Sequence, residues 1–181
     1  MKRRLFVGTK VKLTGLEGIR KEITSFGIEG KWVEEENLHF TYRFLGDFEE
    51  EKIPPLLLSL KGKLKLCKAP EVVYRGVGFF EKKGIPRVFF VKVESDNLQE
   101  VKNAIDQALL PFGFPLEENF VPHVTLLRIK RFRRATKFKN YVYRMKDFVF
   151  GKEKANVVTL FESKLTPQGP IYTALEEFYL D

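Results

Sequence analysis

Two strand-like segments in opposite halves of the chain carry the same pattern, and this repetition constrains the fold more than any other feature. Residues 38–45 and 120–127 alternate along the chain in a way typical of β-strands that bury one face. Each segment contains a His-x-Thr triplet, beginning at His39 and at His123, and these are the only two histidines in the chain. In a strand, the histidine and the threonine of each triplet share one face. The pattern therefore predicts two similar lobes whose histidine-bearing faces meet at one cleft.

The remaining sequence alternates between strand and helix signals. At 181 residues the chain is long enough for one compact unit with a substantial core. Periodicity and turn residues predict further strands at residues 4–8, 71–80, 86–94, 147–150, 156–165 and 170–179, and helices from Leu16, across 49–60, and from an Asp96 cap to Leu109. We therefore expect an α+β fold made of a single bilobal domain, residues 1–181.

The charge of the chain is positive and unevenly distributed. The net charge is +8, which favours a polyanionic partner. Residues 128–146 contain nine basic and no acidic side chains, interleaved with aromatic residues, a composition suited to phosphate contact and base stacking. A solvated basic loop explains the same composition equally simply. The residues predicted to contact RNA are Lys130, Arg131, Arg133 and Arg134.

Several function classes find no support in the sequence. No apolar run approaches the roughly 20 residues that span a bilayer, and the apolar start of the chain is broken by Gly8, so neither a membrane segment nor export is predicted. A single Cys67 predicts no internal disulfide and fits a reducing cytoplasm. The histidines lack closely spaced companions that would hold a metal ion, and no phosphate-binding glycine loop followed by lysine is present. We expect no metal and no cofactor.

Two imidazoles facing each other across a cleft suit an in-line displacement at phosphorus. One histidine removes a proton from the attacking oxygen while the other protonates the departing oxygen. Histidine titrates near pH 6.5, so both protonation states are accessible near neutrality and a bell-shaped pH profile is expected. Thr41 and Thr125 are predicted to donate hydrogen bonds to the phosphate oxygens. These residues alone do not decide which histidine is the acid.

The two motifs resemble those of a known family. Residues 37–46, Asn-Leu-His-Phe-Thr-Tyr-Arg-Phe-Leu-Gly, and residues 120–128, Phe-Val-Pro-His-Val-Thr-Leu-Leu-Arg, are similar to the paired motifs of the RNA 2′,3′-cyclic phosphodiesterases, long called 2′-5′ RNA ligases, within the two-histidine phosphoesterase superfamily. The resemblance extends to the first strand and to the closing strands, and so covers most of the chain. It departs from the family at the basic loop of residues 8–12 and at Tyr42-Arg43.

The resemblance implies a fold, an activity and residue roles. The fold is two pseudo-twofold-related lobes, each with an antiparallel sheet and flanking helices around a central cleft. The reaction is metal-independent opening of an RNA-terminal 2′,3′-cyclic phosphate to a 2′-phosphate, with His39 as the acid and His123 as the base. Arg128 takes the phosphate-binding arginine position, although simple alternation puts it on the face opposite His123. A bulge or twist must then return it to the phosphate.

Other interpretations remain open at the level of sequence. A cleft that only binds RNA or nucleotides is the main alternative, and reverse 2′-5′ ligation of RNA is a second activity of the same site. The substrate class also includes small cyclic nucleotides and 2′-5′ oligonucleotides, because two histidines report on the phosphate and not on the base. Arg43, on the face expected for His39, is assigned either to phosphate or to a cross-strand salt bridge. We expect a cytoplasmic monomer whose partner is RNA, such as tRNA fragments, with a cyclic phosphate end.

Overall fold

Nine strands and four α-helices make up the fold. The computed structural model describes residues 1–181. In chain order the elements are β1 (Lys2–Lys10), α1 (Leu16–Ser25), β2 (Glu29–Trp32), β3 (His39–Glu49), α2 (Ile53–Leu64), β4 (Glu71–Lys82), β5 (Ile85–Glu94), α3 (Leu98–Leu109), β6 (His123–Arg131), α4 (Ala135–Arg144), β7 (Val149–Lys154), β8 (Val157–Thr166) and β9 (Gly169–Tyr179). The predicted α+β class is confirmed.

All nine strands belong to one antiparallel sheet. The strand order is β7-β4-β5-β6-β3-β1-β8-β9, and β2 pairs separately with β6. The two halves of the sheet meet where β3 pairs with β6 at a single position, Phe40 opposite Val124. The strands of the two lobes are thus continuous with each other and do not form two separate sheets.

The order of elements repeats along the chain. The series β1-α1-β3-α2 in the first half corresponds to β5-α3-β6-α4 in the second. His39 begins β3 and His123 begins β6, 84 positions apart in sequence, and helices α1 and α3 start at Leu16 and Leu98, with nearly the same spacing. Because Phe40 and Val124 come directly after the two histidines and pair with each other, a pseudo-twofold axis passes through this bridge.

One hydrophobic core serves both halves. A single cluster of 41 buried residues includes Val7 and Leu56 from the first half and Val91 and Ile105 from the second. The lobes therefore share their packing and hold each other in place. None of the four helices combines the length and apolar character that a bilayer crossing requires.

Several predicted boundaries differ from the structure. The strand predicted from residue 120 begins at His123, because Pro122 has no N–H to contribute to a ladder. Helix α3 begins at Leu98 after Asn97, so Asp96 is not its N-cap. Helix α2 starts at Ile53, later than predicted, because its two prolines suit the first turn of a helix.

One helix contradicts a sequence-based prediction, and one strand was not predicted at all. Residues 135–144 of the basic segment form helix α4, and its Phe138 and Tyr141 are buried in the core, so neither is available to stack on a base. Strand β2, which was not predicted from the sequence, pairs with β6. Gly30 permits this close approach, since a Cβ there would overlap the carbonyl of Arg128.

Candidate active site

Both His-x-Thr triplets face the same side of the sheet at the junction of its two halves. Directly opposed residues in an antiparallel pair point to the same side, and their neighbours point to the other. Phe40 and Val124 are opposed and fully buried, so the residues that flank them project from the other face. The flanking residues are His39 and Thr41 on β3 and His123 and Thr125 on β6. The structure thus brings together the four residues that the motifs predicted.

A β-bulge after each triplet sets the direction in which the next side chains point. On β6 the pairing with β5 shifts between Phe89 and Phe90, which leaves Leu126 as an extra residue. Both Leu126 and Leu127 are buried, and Arg128 is exposed on the histidine face. The bulge returns Arg128 to this face, as the family resemblance required, whereas uninterrupted alternation along residues 120–127 would have put Leu127 there.

The equivalent bulge on β3 turns Arg43 away from the cleft. The pairing with β1 shifts between Val7 and Gly8, so Tyr42 and Arg43 are consecutive buried residues. The expectation that Arg43 shares the face of His39 is therefore wrong. Its guanidinium forms ion pairs with Asp106 at 3.1 Å and Glu117 at 3.4 Å, behind the sheet. The residue in the position equivalent to Arg128 is Phe44, which is 67% exposed and lines the cleft.

A cavity of about 250 Å³ lies over the two triplets. Its wall combines residues from β2, β3, β6 and the β8–β9 turn, and a pocket of mixed apolar and polar character with a few convergent polar groups is typical of a ligand site. The lining residues are Lys31, Trp32, Val33, Glu34, Asn37, His39, Thr41, Phe44, Phe80, Val88, His123, Thr125, Arg128, Gln168, Gly169, Pro170 and Tyr172.

Each imidazole is held by the backbone two residues before it. His39 Nδ1 donates to the carbonyl of Asn37 at 2.7 Å, and His123 Nδ1 donates to the carbonyl of Val121 at 2.8 Å. A carbonyl oxygen only accepts hydrogen bonds, so each Nδ1 carries a proton. In the neutral rings Nε2 is then the free acceptor on both sides of the cleft. Both rings are oriented to take up or release a proton at Nε2.

The surroundings favour the neutral form of both histidines. Burial lowers the pKa of His39 and of His123 from the ordinary value of 6.5. The hydrogen bond from Nδ1 to the backbone opposes this effect, and the positive charge of Arg128 lowers both pKa values further. The nearby His123 also lowers the pKa of His39. An anion in the cleft would counter these effects by stabilising an imidazolium.

Aromatic side chains enclose each imidazole, and none of them was predicted from the sequence as part of the site. The centroid of the His39 ring lies 5.0 Å from that of Phe6 and 5.2 Å from that of Tyr172, and the Tyr172 contact is edge-on. The His123 ring lies 5.1 Å from Phe90 and, edge-on, 4.8 Å from Phe80. These contacts limit ring rotation and account for the burial that lowers the histidine pKa values. The signal was present, since Phe6 and Phe90 are 84 residues apart, like the histidines.

The four residues predicted to contact RNA lie at the end of β6 and the start of α4. Lys130 and Arg133 are exposed. Arg131 forms a surface ion pair with Glu29 at 3.7 Å. Arg134 donates to the carbonyl of Phe26 at 2.7 Å and so links α4 to α1. Its guanidinium is thus at least partly engaged in the fold.

The chain contains no group of three or more His, Cys, Asp or Glu side chains arranged to hold a metal ion. The two histidines are accompanied instead by hydroxyl, aromatic and guanidinium groups. These groups can exchange protons and bind anions.

The resemblance inferred from the motifs is confirmed by comparison with known proteins. The family model described as LigT like Phosphoesterase matches the chain twice, over residues 11–90 and 91–172. The chain is 35% identical over 177 residues to the RNA 2′,3′-cyclic phosphodiesterase of Methanocaldococcus jannaschii, covering 97% of this chain and 99% of that protein. It is also 35% identical over 172 residues to the RNA 2′,3′-cyclic phosphodiesterase of Aquifex aeolicus, covering 91% and 88%.

A solved structure shares the fold. A crystal structure of a protein from Thermus thermophilus aligns with a TM-score of 0.73 and 29% sequence identity over 98% of this chain and 97% of that one. The two family matches divide the chain at residue 90, close to the boundary between the repeated halves of the structure. The chain belongs to the LigT-like phosphoesterase family.

Proposed function

We propose that this protein hydrolyses RNA-terminal 2′,3′-cyclic phosphates to 2′-phosphates, with His39 as general acid and His123 as general base. The observation that carries the proposal is the pair of imidazoles that line one cavity on the two sides of the Phe40–Val124 bridge, each with Nδ1 bound to a backbone carbonyl and Nε2 left for a substrate. The relatives named as RNA 2′,3′-cyclic phosphodiesterases support the choice of RNA as substrate.

The reaction requires one protonated and one neutral histidine. His123 Nε2 takes a proton from water as the water oxygen bonds to phosphorus, and the bond between phosphorus and the 3′-oxygen breaks on the opposite side. His39 Nε2, protonated when the anionic substrate is bound, gives its proton to the departing 3′-oxygen. The products are a 3′-hydroxyl and a 2′-phosphate, and solvent restores both protonation states. If an RNA 5′-hydroxyl attacks phosphorus in place of water, the same opening step forms a 2′-5′ linkage between two RNAs and releases the 3′-hydroxyl, which is 2′-5′ ligation.

We assign three further cavity residues to the phosphate. The hydroxyls of Thr41 and Thr125 and the guanidinium of Arg128 line the cavity and can donate to the non-bridging oxygens, whose charge increases in the transition state. We assign the exposed Lys130 and Arg133, with a smaller contribution from Arg131 and Arg134, to the RNA strand that leads away from its cyclic end, as in a tRNA fragment.

The test is product formation from an oligoribonucleotide that ends in a 2′,3′-cyclic phosphate. The purified protein in excess EDTA is expected to yield the 2′-phosphate, identified by phosphorus NMR, and His39→Ala and His123→Ala are each expected to lose about 100-fold or more in kcat. Binding of the 2′-phosphate product, measured in parallel, shows whether the variants keep an intact cleft.

Two results would count against the proposal. If both histidine variants keep wild-type activity, the acid–base assignment is wrong. If the wild-type protein binds the RNA end tightly but leaves the cyclic phosphate closed, the site is a binding module.

A further inference from the structure

The carbonyls that hold the two histidines are supported very differently. Asn37, whose carbonyl binds His39, ends a short 3₁₀ turn, and its side chain donates to a carbonyl of β9 at 3.3 Å. Val121, whose carbonyl binds His123, belongs to residues 113–122, which form neither helix nor strand, and it is 57% exposed. Something other than regular structure must fix the carbonyl on the His123 side.

Glu117 ties this irregular segment to the rest of the protein. Its backbone N–H donates to Asp106 Oδ2 at 3.4 Å, and its carboxylate accepts a hydrogen bond from Lys102 Nζ at 2.7 Å. The same carboxylate oxygen lies 3.4 Å from Nε of Arg43. Between residue 115 and residue 122 the only other hydrogen bond is the one from His123 to Val121. Glu117 is therefore the polar anchor of the segment.

The three groups that hold Glu117 are buried, and the Glu117 carboxylate balances their net positive charge. The side chains of Lys102, Asp106 and Arg43 are 0%, 3% and 6% exposed. Asp106 binds Lys102 at 2.9 Å and Arg43 at 3.1 Å, so three buried side chains and the half-exposed Glu117 form one ionic network: Arg43, Lys102, Asp106 and Glu117. A buried charge that loses its partner is costly, and a fully satisfied network of this kind holds its members in one arrangement.

An aromatic contact extends the network toward the histidine. The Phe120 ring stacks on Tyr42 with centroids 6.1 Å apart, and Lys102 Nζ lies 5.4 Å from the same ring. Phe120 immediately precedes Val121. The segment is thus fixed at Glu117 and at Phe120, and both contacts lead to residues 42 and 43 of β3, next to the first motif.

We propose that Glu117 is a positioning residue for His123. Through the ionic network it fixes the segment whose carbonyl orients the imidazole, and through Arg43 it sets that segment relative to β3. The kinetic part of this inference rests on the proposed function. The orientation of the ring does not, because it is measurable in the protein without substrate.

The experiment compares Glu117→Gln with Glu118→Gln. Both residues are solvent-accessible, and only Glu117 takes part in the network, so the second variant is a matched control. Nitrogen-15-labelled histidine gives one Nδ1–H signal per ring, and the His39→Ala variant assigns them. Glu117→Gln is expected to lose or broaden the His123 signal while the His39 signal persists, and to lower kcat on the order of 10- to 100-fold with little change in KM. Glu118→Gln is expected to match the wild type.

A second variant separates anchoring from charge balance. Lys102→Met combined with Glu117→Gln leaves Arg43 paired with Asp106 and restores neutrality, but it does not restore the carboxylate anchor. This double variant is expected to keep the lowered kcat and the lost or broadened His123 Nδ1–H signal of Glu117→Gln. Recovery of both would overturn it, as would wild-type behaviour of Glu117→Gln or an equal loss of both histidine signals. An inert wild type would refute the proposed function and leave the NMR comparison decisive for this inference.

Discussion

Truncation of Phe40 tests whether the bridge between the two halves sets the geometry of the site. Phe40 is fully buried at the only position where β3 pairs with β6, and its ring packs edge-on against Tyr42 at 5.2 Å. Replacing a buried Phe by Ala costs about 3–5 kcal/mol, and an aromatic pair of this kind contributes about 0.5–1.5 kcal/mol beyond its buried area. We expect Phe40→Ala to lower the free energy of unfolding by about 4 kcal/mol, or the Tm by roughly 8–16 °C for a chain of this size.

Leu56→Ala is the matched control. Leu56 is also fully buried, but it lies in α2, away from the bridge, and its truncation costs about 2–5 kcal/mol. Urea unfolding gives both stabilities, and kcat on the cyclic-phosphate substrate is measured well below either unfolding transition. Phe40→Ala is expected to lower kcat about tenfold or more, because His39 and Thr41 flank Phe40, whereas Leu56→Ala keeps the wild-type kcat. Equal loss of kcat in the two variants, or a stability cost below about 2 kcal/mol for Phe40→Ala, would refute the reasoning.

Three further outcomes are expected from the charges of the site and of its support. The folded-state pKa values of His39 and His123 lie below 6.5, so the unfolded chain takes up protons first as the pH falls below 6.5. The free energy of unfolding should therefore decrease as the pH falls there. Replacing both histidines by Asn should flatten this pH dependence, as measured by urea unfolding at several pH values. Arg128→Met should raise the pKa of both imidazoles, as followed by NMR titration, because burial continues to lower these pKa values but the guanidinium no longer does; unchanged values would place Arg128 too far away to matter. Asp106→Asn leaves two buried cations with one half-exposed carboxylate and should lower the free energy of unfolding by about 3–5 kcal/mol, measured by thermal unfolding. Asp147→Asn, at an exposed position, should change it by no more than about 0.5 kcal/mol. Similar losses in the two variants would show that the network contributes little to stability.

The parts of the fold that depend on local periodicity were predictable. The alternation around His39 and His123 placed both motifs on strands, and the apolar spacing from Leu16 and Leu98 gave α1 and α3. The meeting of the two histidines was an inference from repetition, since no local signal specifies which distant strands pair. The pairing at the bridge is set by long-range packing of both halves onto one core.

The side chains whose faces simple alternation misplaces have a common physical origin, a β-bulge in the strand that carries them. A single extra residue in a strand exchanges its two faces, and this moved Arg43 behind the sheet and Arg128 into the cleft. The consecutive leucines 126 and 127 were a visible sign of the second bulge, whereas Tyr42-Arg43 gave none, because the burial of an arginine depends on carboxylates far away in sequence. The basic composition of residues 128–146 obscures helix α4, whose sequence signal is the three-residue spacing of Phe138 and Tyr141.

The pseudo-twofold arrangement has a consequence for how a substrate can lie in the cleft. A site with exact twofold symmetry would accept a phosphate equally well in two opposite orientations, and neither imidazole would have a fixed task. Arg128 and Phe44 occupy equivalent positions in the two motifs, and both line the cavity. On the cleft face they are the pair of equivalent residues that differ most in character. One motif therefore presents a guanidinium to the cavity where the other presents an aromatic ring, so the anionic and the carbon-rich ends of a bound nucleotide would not be interchangeable there. Under the proposed function, this difference gives a duplicated fold a polarity that suits two identical side chains to opposite roles in proton transfer.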